Sequence, residues 1–303
     1  MGVEFKTVDE FSATQRLDNY LLKNLKGVPK SHIYRVIRKG QVRVNKGRKK
    51  ADYKLQTGDV VRIPPITVTI PAEVKTSDNL KQLLKSAVLY EDKGLLIINK
   101  PAGLAVHSGS GVAVGVIEAL RDIYKQPIEL VHRLDRATSG VLLIAKKRSV
   151  LKNLHQQLNQ HQVEKRYTAL VSGVWSKKRH TVDAPLLQNS QYAAVDARGK
   201  PAISHFQPLK NFQQDDFAAS LVEVLIETGR THQIRAHAKY AGHSVAGDEK
   251  YGDKIFDAKA KSKGLKRLFL HAQKLTFSNP SSGEIQKISA PLPDELQQFL
   301  TKL

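Results

Sequence analysis

Val131-His132-Arg133-Leu134-Asp135-Arg136-Ala137-Thr138-Ser139-Gly140 runs directly into Val141-Leu142-Leu143-Ile144-Ala145. The second half is an unbroken apolar run of strand length and reads as a buried strand. The first half places a carboxylate among Arg133, Arg136 and His132 just before that strand. Cations at this range are expected to keep Asp135 ionised, as a nucleophile or a base must be. A salt-bridged loop aspartate followed by a Thr-Ser-Gly turn fits the same residues, so local sequence leaves both readings open.

Outward from this stretch, strand-like runs recur at Leu95–Asn99, Tyr167–Ser172, His205–Leu209, Ser220–Ile226 and Leu268–Leu270. Helical spacing lies between them at Ile117–Ile123, Leu151–Asn159 and Thr231–Ala241, with a polar helical tail near Asp294–Leu303. Strands and helices do not alternate strictly, so the fold class is mixed α+β. Lys259–Lys266 is basic, contains glycine and reads as a mobile loop. No internal repeat or low-complexity segment is present.

The chain has 303 residues, a formal net charge of +21 and no cysteine. Such a basic excess points to a polyanionic partner, nucleic acid first and an anionic membrane surface second. Without cysteine there are no disulfides, thiolate zinc sites or thiol nucleophiles. The sequence has no apolar run of about 18 residues and does not open with a signal-peptide pattern. The expected location is therefore the cytoplasm.

Residues 12–65 read as a small α+β module. Leu17, Tyr20, Leu21 and Leu25 share a helix face that Gly27 stops. Ser31 is placed to cap a second helix carrying Ile33, Tyr34, Val36 and Ile37, which Gly40 closes. Turns at Asn45-Lys46-Gly47 and Thr57-Gly58-Asp59 flank short strands. Between Lys30 and Lys50 there are nine Lys or Arg and no acid. Lys30, Arg35, Arg38, Lys39 and Arg43 are thus candidate phosphate contacts. The module resembles an S4 RNA-binding domain, from Gln15-Arg16-Leu17-Asp18 through Arg38–Asn45. Asp18 reads as a helix-surface or capping residue. Residues 66–86 read as a linker with a short helix near Leu80–Leu84, and 87–303 as one larger unit.

Two further constellations carry chemistry. In Glu227-Thr228-Gly229-Arg230-Thr231-His232-Gln233-Ile234-Arg235, a strand ends, a glycine turn follows and Thr231 is placed to cap a helix. Arg230, His232, Gln233 and Arg235 crowd that helix start, which already favours anions and could hold a phosphate or the Asp135 carboxylate. In Lys165-Arg166-Tyr167, a tyrosine begins a strand. By itself such a tyrosine is more often core than site. Gly109-Ser110-Gly111 makes no phosphate loop, and His232 and His237 are poorly spaced for a metal. Trp175 and the scattered phenylalanines read as core.

Taken together, the His132–Gly140, Lys165-Arg166-Tyr167 and Gly229–Arg235 segments resemble the signatures of the RluA-type pseudouridine synthases. Further matches are Ile98-Asn99-Lys100-Pro101-Ala102-Gly103, Gly199-Lys200-Pro201-Ala202, Gly247-Asp248-Glu249-Lys250-Tyr251-Gly252 and Arg267-Leu268-Phe269-Leu270-His271-Ala272. The resemblance spans nearly the whole chain. Leu25–Ser31 and Val106–Gly111 favour the C-type branch, which acts on large-subunit RNA.

The resemblance implies a mixed, mostly antiparallel sheet split by an RNA-binding cleft with Asp135 in its floor. It implies base flipping and isomerisation of uridines in 23S ribosomal RNA, free or in a pre-ribosomal particle, without cofactor or metal. Asp135 would be the catalytic carboxylate, paired with Arg235, with Tyr167 against the flipped uracil and helping to remove the C5 proton. Arg133 and Arg136 on the catalytic loop, with Arg230, His232 and Gln233, would contact RNA. Asp135 has two routes: removal of the ribose C2′ proton or direct attack on C1′. No membrane or protein partner is expected, and the default is a monomer. An S4-type ribosome-assembly factor without chemistry would share the basic module, but would not need Asp135, Tyr167 and Arg235 together.

Overall fold

The computed structural model describes all residues except 1, 26, 27, 29, 67–75, 109–111, 176, 177, 190, 191 and 215. The helix stop expected at Gly27 and the Gly109-Ser110-Gly111 stretch lie outside the described residues. The chain forms two compact units, Met1–Thr76 and Ser77–Leu303.

The smaller unit contains β1 (Glu4–Thr7), α1 (Leu17–Asn24), α2 (Lys30–Arg38), β2 (Arg43–Val44) and β3 (Val60–Ile63). It begins earlier than the expected residue 12, because β1 pairs antiparallel with β3 and completes a β1-β3-β2 sheet. Helical spacing puts Leu17, Tyr20 and Leu21 of α1 and Ile33, Val36 and Ile37 of α2 into one core with Val44, Val61 and Ile63. The turn after β2 takes positive φ at Asn45 and Lys46, as a tight hairpin requires. Two expectations need correction. Helix α2 starts at Lys30, so Ser31 lies in its first turn and is not its cap. Asp18 is buried, held by the Arg16 guanidinium at 2.6 Å and by the Tyr34 hydroxyl at 2.9 Å. The Arg16 hydrogen bond is the main cause of its lowered pKa, so Asp18 ties the two helices together.

The larger unit begins with α3 (Asp78–Ser86), inside the expected linker. Ser77 caps α3, and its Leu84 is buried in the core. Then follow β4 (Val88–Glu91), β5 (Leu95–Lys100), α4 (Val116–Tyr124), β6 (Glu129–Leu130), β7 (Ser139–Ala145) and α5 (Arg148–Asn159). The chain continues through β8 (Glu164–Ser172), β9 (His180–Asp183), β10 (Leu186–Gln188), β11 (Ala193–Val195), β12 (Ile203–Gln214) and β13 (Phe217–Ile226). It ends with α6 (Gln233–Tyr240), α7 (Lys254–Ser262), β14 (Leu270–Ser278), β15 (Ile285–Ser289) and α8 (Asp294–Leu300).

Ten strands form one sheet in the order β4-β5-β7-β14-β8-β13-β12-β9, with β6 beside β7 and β15 beside β14. Its strand pairs are antiparallel except β7 with β14. That parallel seam rests on two residue pairs, Ser139 with His271 and Gly140 with Ala272. Gly140 has φ +117°, and a Cβ there would fall 2.2 Å from the Ala272 carbonyl oxygen. Only glycine allows this approach.

The apolar runs β5 and β7 are sandwiched. Leu96, Ile98, Leu142 and Ile144 pack with Ile117 and Leu120 of α4. Leu95, Ile97, Val141 and Leu143 pack on the other face with Val150, Leu151 and Leu154 of α5. Each such fully buried aliphatic side chain contributes about 1.5–3 kcal/mol. The first half of the loop expected at Lys259–Lys266 is instead the end of helix α7, which Asp253 caps; Phe256 and Ala260 of the helix are buried, as is Leu265 just after it. Strand β14 starts at Leu270, where the expected Leu268–Leu270 run ends, and extends to Ser278. Trp175 is buried, as expected. No helix among the described residues is long and apolar enough to cross a membrane.

Candidate active site

The segment from Val131 to Thr138 leaves β6 and enters β7 at the parallel seam. Its backbone is fixed at several points. Val131 N–H donates to Leu143 O at 3.0 Å, and Thr138 N–H donates to Asp135 O at 3.1 Å. Gly103 N–H donates to Arg136 O at 2.8 Å, while Arg136 Nε returns a bond to Gly103 O at 2.9 Å. His132 was expected to be one of the cations beside Asp135. Its Nε2 instead accepts from Leu143 N–H at 3.2 Å, and burial draws its pKa down to about 4, so it is neutral at pH 7.

Two cations grip the loop, one buried and one half-buried. Lys100 is fully buried and donates to Pro101 O, Leu104 O and Arg136 O at 2.8, 3.0 and 3.4 Å. Burial, then the nearby Arg267 charge, lower its pKa to about 7, with Asp135 opposing. Arg267 donates to Ser139 Oγ at 2.8 Å and to Glu295 at 3.2 Å. A cavity of about 600 Å³ beside these cations is lined by Lys100, Ser139, Arg267 and Glu295, and its walls do not include Asp135 or Arg235.

The carboxylate of Asp135 is 19% exposed and meets residues from the start of α6. Arg235 Nη1 donates to Asp135 Oδ2 at 3.2 Å. The other side of the same guanidinium forms a bidentate pair with Asp248, at 2.6 Å from Nε and 2.7 Å from Nη2. The side chain of Asp248 is fully buried and also accepts the N–H groups of Lys250 and Tyr251 at 2.9 and 3.1 Å. The Tyr251 ring lies 5.0 Å from the guanidinium carbon. Burial disfavours the Arg235 charge, but Asp248 and then Asp135 outweigh it and raise its pKa above the usual value. The planar fork is thus anchored by one carboxylate and aims its remaining N–H at the other.

Tyr167, on β8, packs against two core clusters. Burial, and then the charge of Asp135, push its pKa up. It therefore keeps its proton at pH 7, and no described residue hydrogen-bonds its hydroxyl. As it stands, its hydroxyl is protonated and able to donate a hydrogen bond. To act as the expected base at C5, it would first have to lose its own proton.

The remaining site expectations divide. Arg133 and Arg136 are exposed on the loop, and Arg230 is exposed with its Nε on Pro201 O at 3.0 Å. His232 is brought to 3.7 Å from Asp135 Oδ2. Gln233 does not reach the surface. It is buried, with Oε1 accepting from Thr228 Oγ1 and Arg230 N–H, and Nε2 donating to Ile203 O and Ser204 Oγ. Thr231 does not cap α6, because His232 occupies that position and Thr231 Oγ1 donates to Gln188. In the smaller unit, Lys30, Arg35, Arg38, Lys39 and Arg43 are all exposed.

Asp248, in the Gly247-Asp248-Glu249-Lys250-Tyr251-Gly252 stretch, is the site residue that no sequence motif singles out. The signal available was an aspartate directly after a glycine, here at φ +71°. Asp248→Asn should retain the backbone N–H contacts but place an amide against Arg235. We expect turnover to fall about ten- to a hundredfold, with the melting temperature lowered by several degrees. Single-turnover assays and thermal melting check this.

Comparison with known proteins agrees with the geometry. Residues 94–240 match the RNA pseudouridylate synthase family model, and residues 15–61 match the S4 domain. A Haemophilus ducreyi protein named ribosomal large subunit pseudouridine synthase C is 50% identical, over 100% of this chain and 96% of its own length. A protein of the same name from Escherichia coli O157:H7 is 49% identical, over 98% and 95%. Among solved structures, human RNA pseudouridylate synthase domain containing 4 shares the fold with a TM-score of 0.62. It is 24% identical, over 74% of this chain and 95% of its own. With a carboxylate fixed by a doubly anchored arginine at the seam of this sheet, the chain belongs to the RNA pseudouridylate synthase family and carries an S4 domain ahead of its catalytic unit.

Proposed function

We propose that the chain isomerises uridines of 23S ribosomal RNA to pseudouridine in the cytoplasm. Asp135 is the reacting carboxylate, Arg235 holds it, and Tyr167 lines the base. The observation that carries this reading is the single guanidinium shared between the partly exposed Asp135 and the buried Asp248. The relatives named above, which match this chain end to end, support the choice of large-subunit RNA.

The reaction breaks the N1–C1′ bond and makes a C5–C1′ bond within one nucleotide. The target uridine must leave its stack, at a cost of a few kcal/mol. Asp135 then either takes the C2′ proton or attacks C1′, and both routes require its oxygen within about 3.5 Å of the sugar. Arg235 makes that approach repeatable. Exposed Arg133 and Arg136, on the same loop, contact the RNA, with Arg133 filling the vacated space or pairing with displaced phosphates. The outward cations of α2 and β2 add phosphate contacts that give affinity without reading much sequence.

The test is incubation of the purified chain with an unmodified 23S transcript and no cofactor, followed by carbodiimide-stop primer extension. New stops at a few discrete uridines are expected. A transcript without new stops would refute the proposal.

A further inference from the structure

His232 leads into α6 with a left-handed backbone, φ +54°. Such a conformation is uncommon for a residue other than glycine and tends to occur at functional sites. It occupies the N-cap position, yet its side chain caps nothing. The ring instead bridges two groups. Nδ1 lies 2.9 Å from the Tyr251 hydroxyl, and Nε2 lies 3.7 Å from Asp135 Oδ2.

The protons on this bridge follow from counting donors and acceptors. The Tyr251 oxygen already accepts the Ala193 N–H at 2.7 Å. It has one proton to give, and among the described residues Nδ1 of His232 is the acceptor in reach. Burial lowers the His232 pKa. Asp135 opposes this, Arg235 and Lys250 add to it, and Asp248 opposes it. The net lowering favours the neutral imidazole at pH 7. With Nδ1 used as acceptor, its single proton sits on Nε2, the nitrogen that faces Asp135.

We infer that His232 is a positioning residue for the reaction, a neutral Nε2–H donor set by the Ala193–Tyr251 relay and directed at Asp135 Oδ2. Arg235 contacts the same oxygen. In the substrate complex the 3.7 Å gap closes to a hydrogen bond, as unliganded catalytic contacts commonly do. Arg235 and His232 then hold Oδ2 between them and leave Oδ1 as the oxygen presented to the ribose. This assigns His232 to orienting the carboxylate, not to RNA affinity.

The inference rests on Asp135 as the reacting group, so its test has one arm that needs no turnover. Long-range proton–nitrogen correlation spectra of the full chain, labelled with ¹⁵N-histidine at pH 7, report the tautomer. His232 signals are identified by their loss in His232→Gln. The Nε2–H form is expected, and Tyr251→Phe should weaken that preference. An Nδ1–H form or an imidazolium in the wild type would overturn the inference, whatever the role of Asp135.

The second arm is single turnover on 23S transcript. His232→Phe should slow the rate about ten- to a hundredfold with an unchanged dissociation constant for RNA. His232→Gln, whose amide N–H can take the place of Nε2–H, should recover most of that loss. Weaker RNA binding at an unchanged rate, or an equal loss in both variants, would overturn the positioning role. If Asp135→Asn remained active while the Nε2–H form was observed, the assignment of Asp135 would fall and the tautomer would stand.

Discussion

Asp135→Asn is expected to fold, bind 23S RNA and form no pseudouridine. The substitution is nearly isosteric and leaves Arg235 anchored by its two bonds to Asp248. It also removes one of two carboxylates that share a single guanidinium. Stability should therefore hold within about 1 kcal/mol or rise slightly, as happens when a functional charge is relaxed. The rate should fall at least about a thousandfold, because an amide can neither take the C2′ proton nor attack C1′. Thermal melting and filter binding establish folding and affinity, and primer extension establishes activity. A variant that melted many degrees lower would instead make Asp135 a structural residue.

Arg235→Lys should be nearly as damaging, for a different reason. The native guanidinium spans both carboxylates, with Nε and Nη2 on Asp248 and Nη1 on Asp135. An ammonium is a point charge and cannot make this three-pronged contact. The fully buried Asp248 carboxylate would draw the lysine to itself and leave Asp135 unheld. We expect the single-turnover rate to drop about a hundredfold, the scale of a misplaced catalytic group. Removing the cation altogether, as in Arg235→Leu, should also cost about 3–5 kcal/mol of stability, because Asp248 would be left buried and unpaired. Near-normal turnover in Arg235→Lys would shift attention to His232 as the main hold on Asp135.

The parts of the fold legible in the sequence were those with local causes. The unbroken apolar runs of β5 and β7 reflect burial on two faces, and α1 and α2 show their inward residues at helical spacing. Helix α7 does not show in the sequence because only Phe256 and Ala260 of its nine residues are buried, too few to give periodicity among its lysines. The parallel seam is a long-range pairing of His271 with Ser139 and cannot be read from either segment. In the site, Asp135 and Arg235 stood out as charges where a strand begins and where a helix begins. Gln233 looked equally available, but its partners Ile203 and Ser204 lie about thirty residues away in sequence. Asp248 has the opposite history: it is unremarkable locally and central once the chain folds, because its partner is a side chain on another element.

The central claim is that the Asp135 carboxylate, steered by the Arg235 guanidinium, performs the bond exchange. The most direct measurement is tritium release from 23S transcript labelled at uridine C5, under single turnover with RNA fully bound. The wild type should release tritium, Arg235→Lys should do so about a hundredfold more slowly, and Asp135→Asn should release none. Release by Asp135→Asn at a rate near that of the wild type would contradict the account.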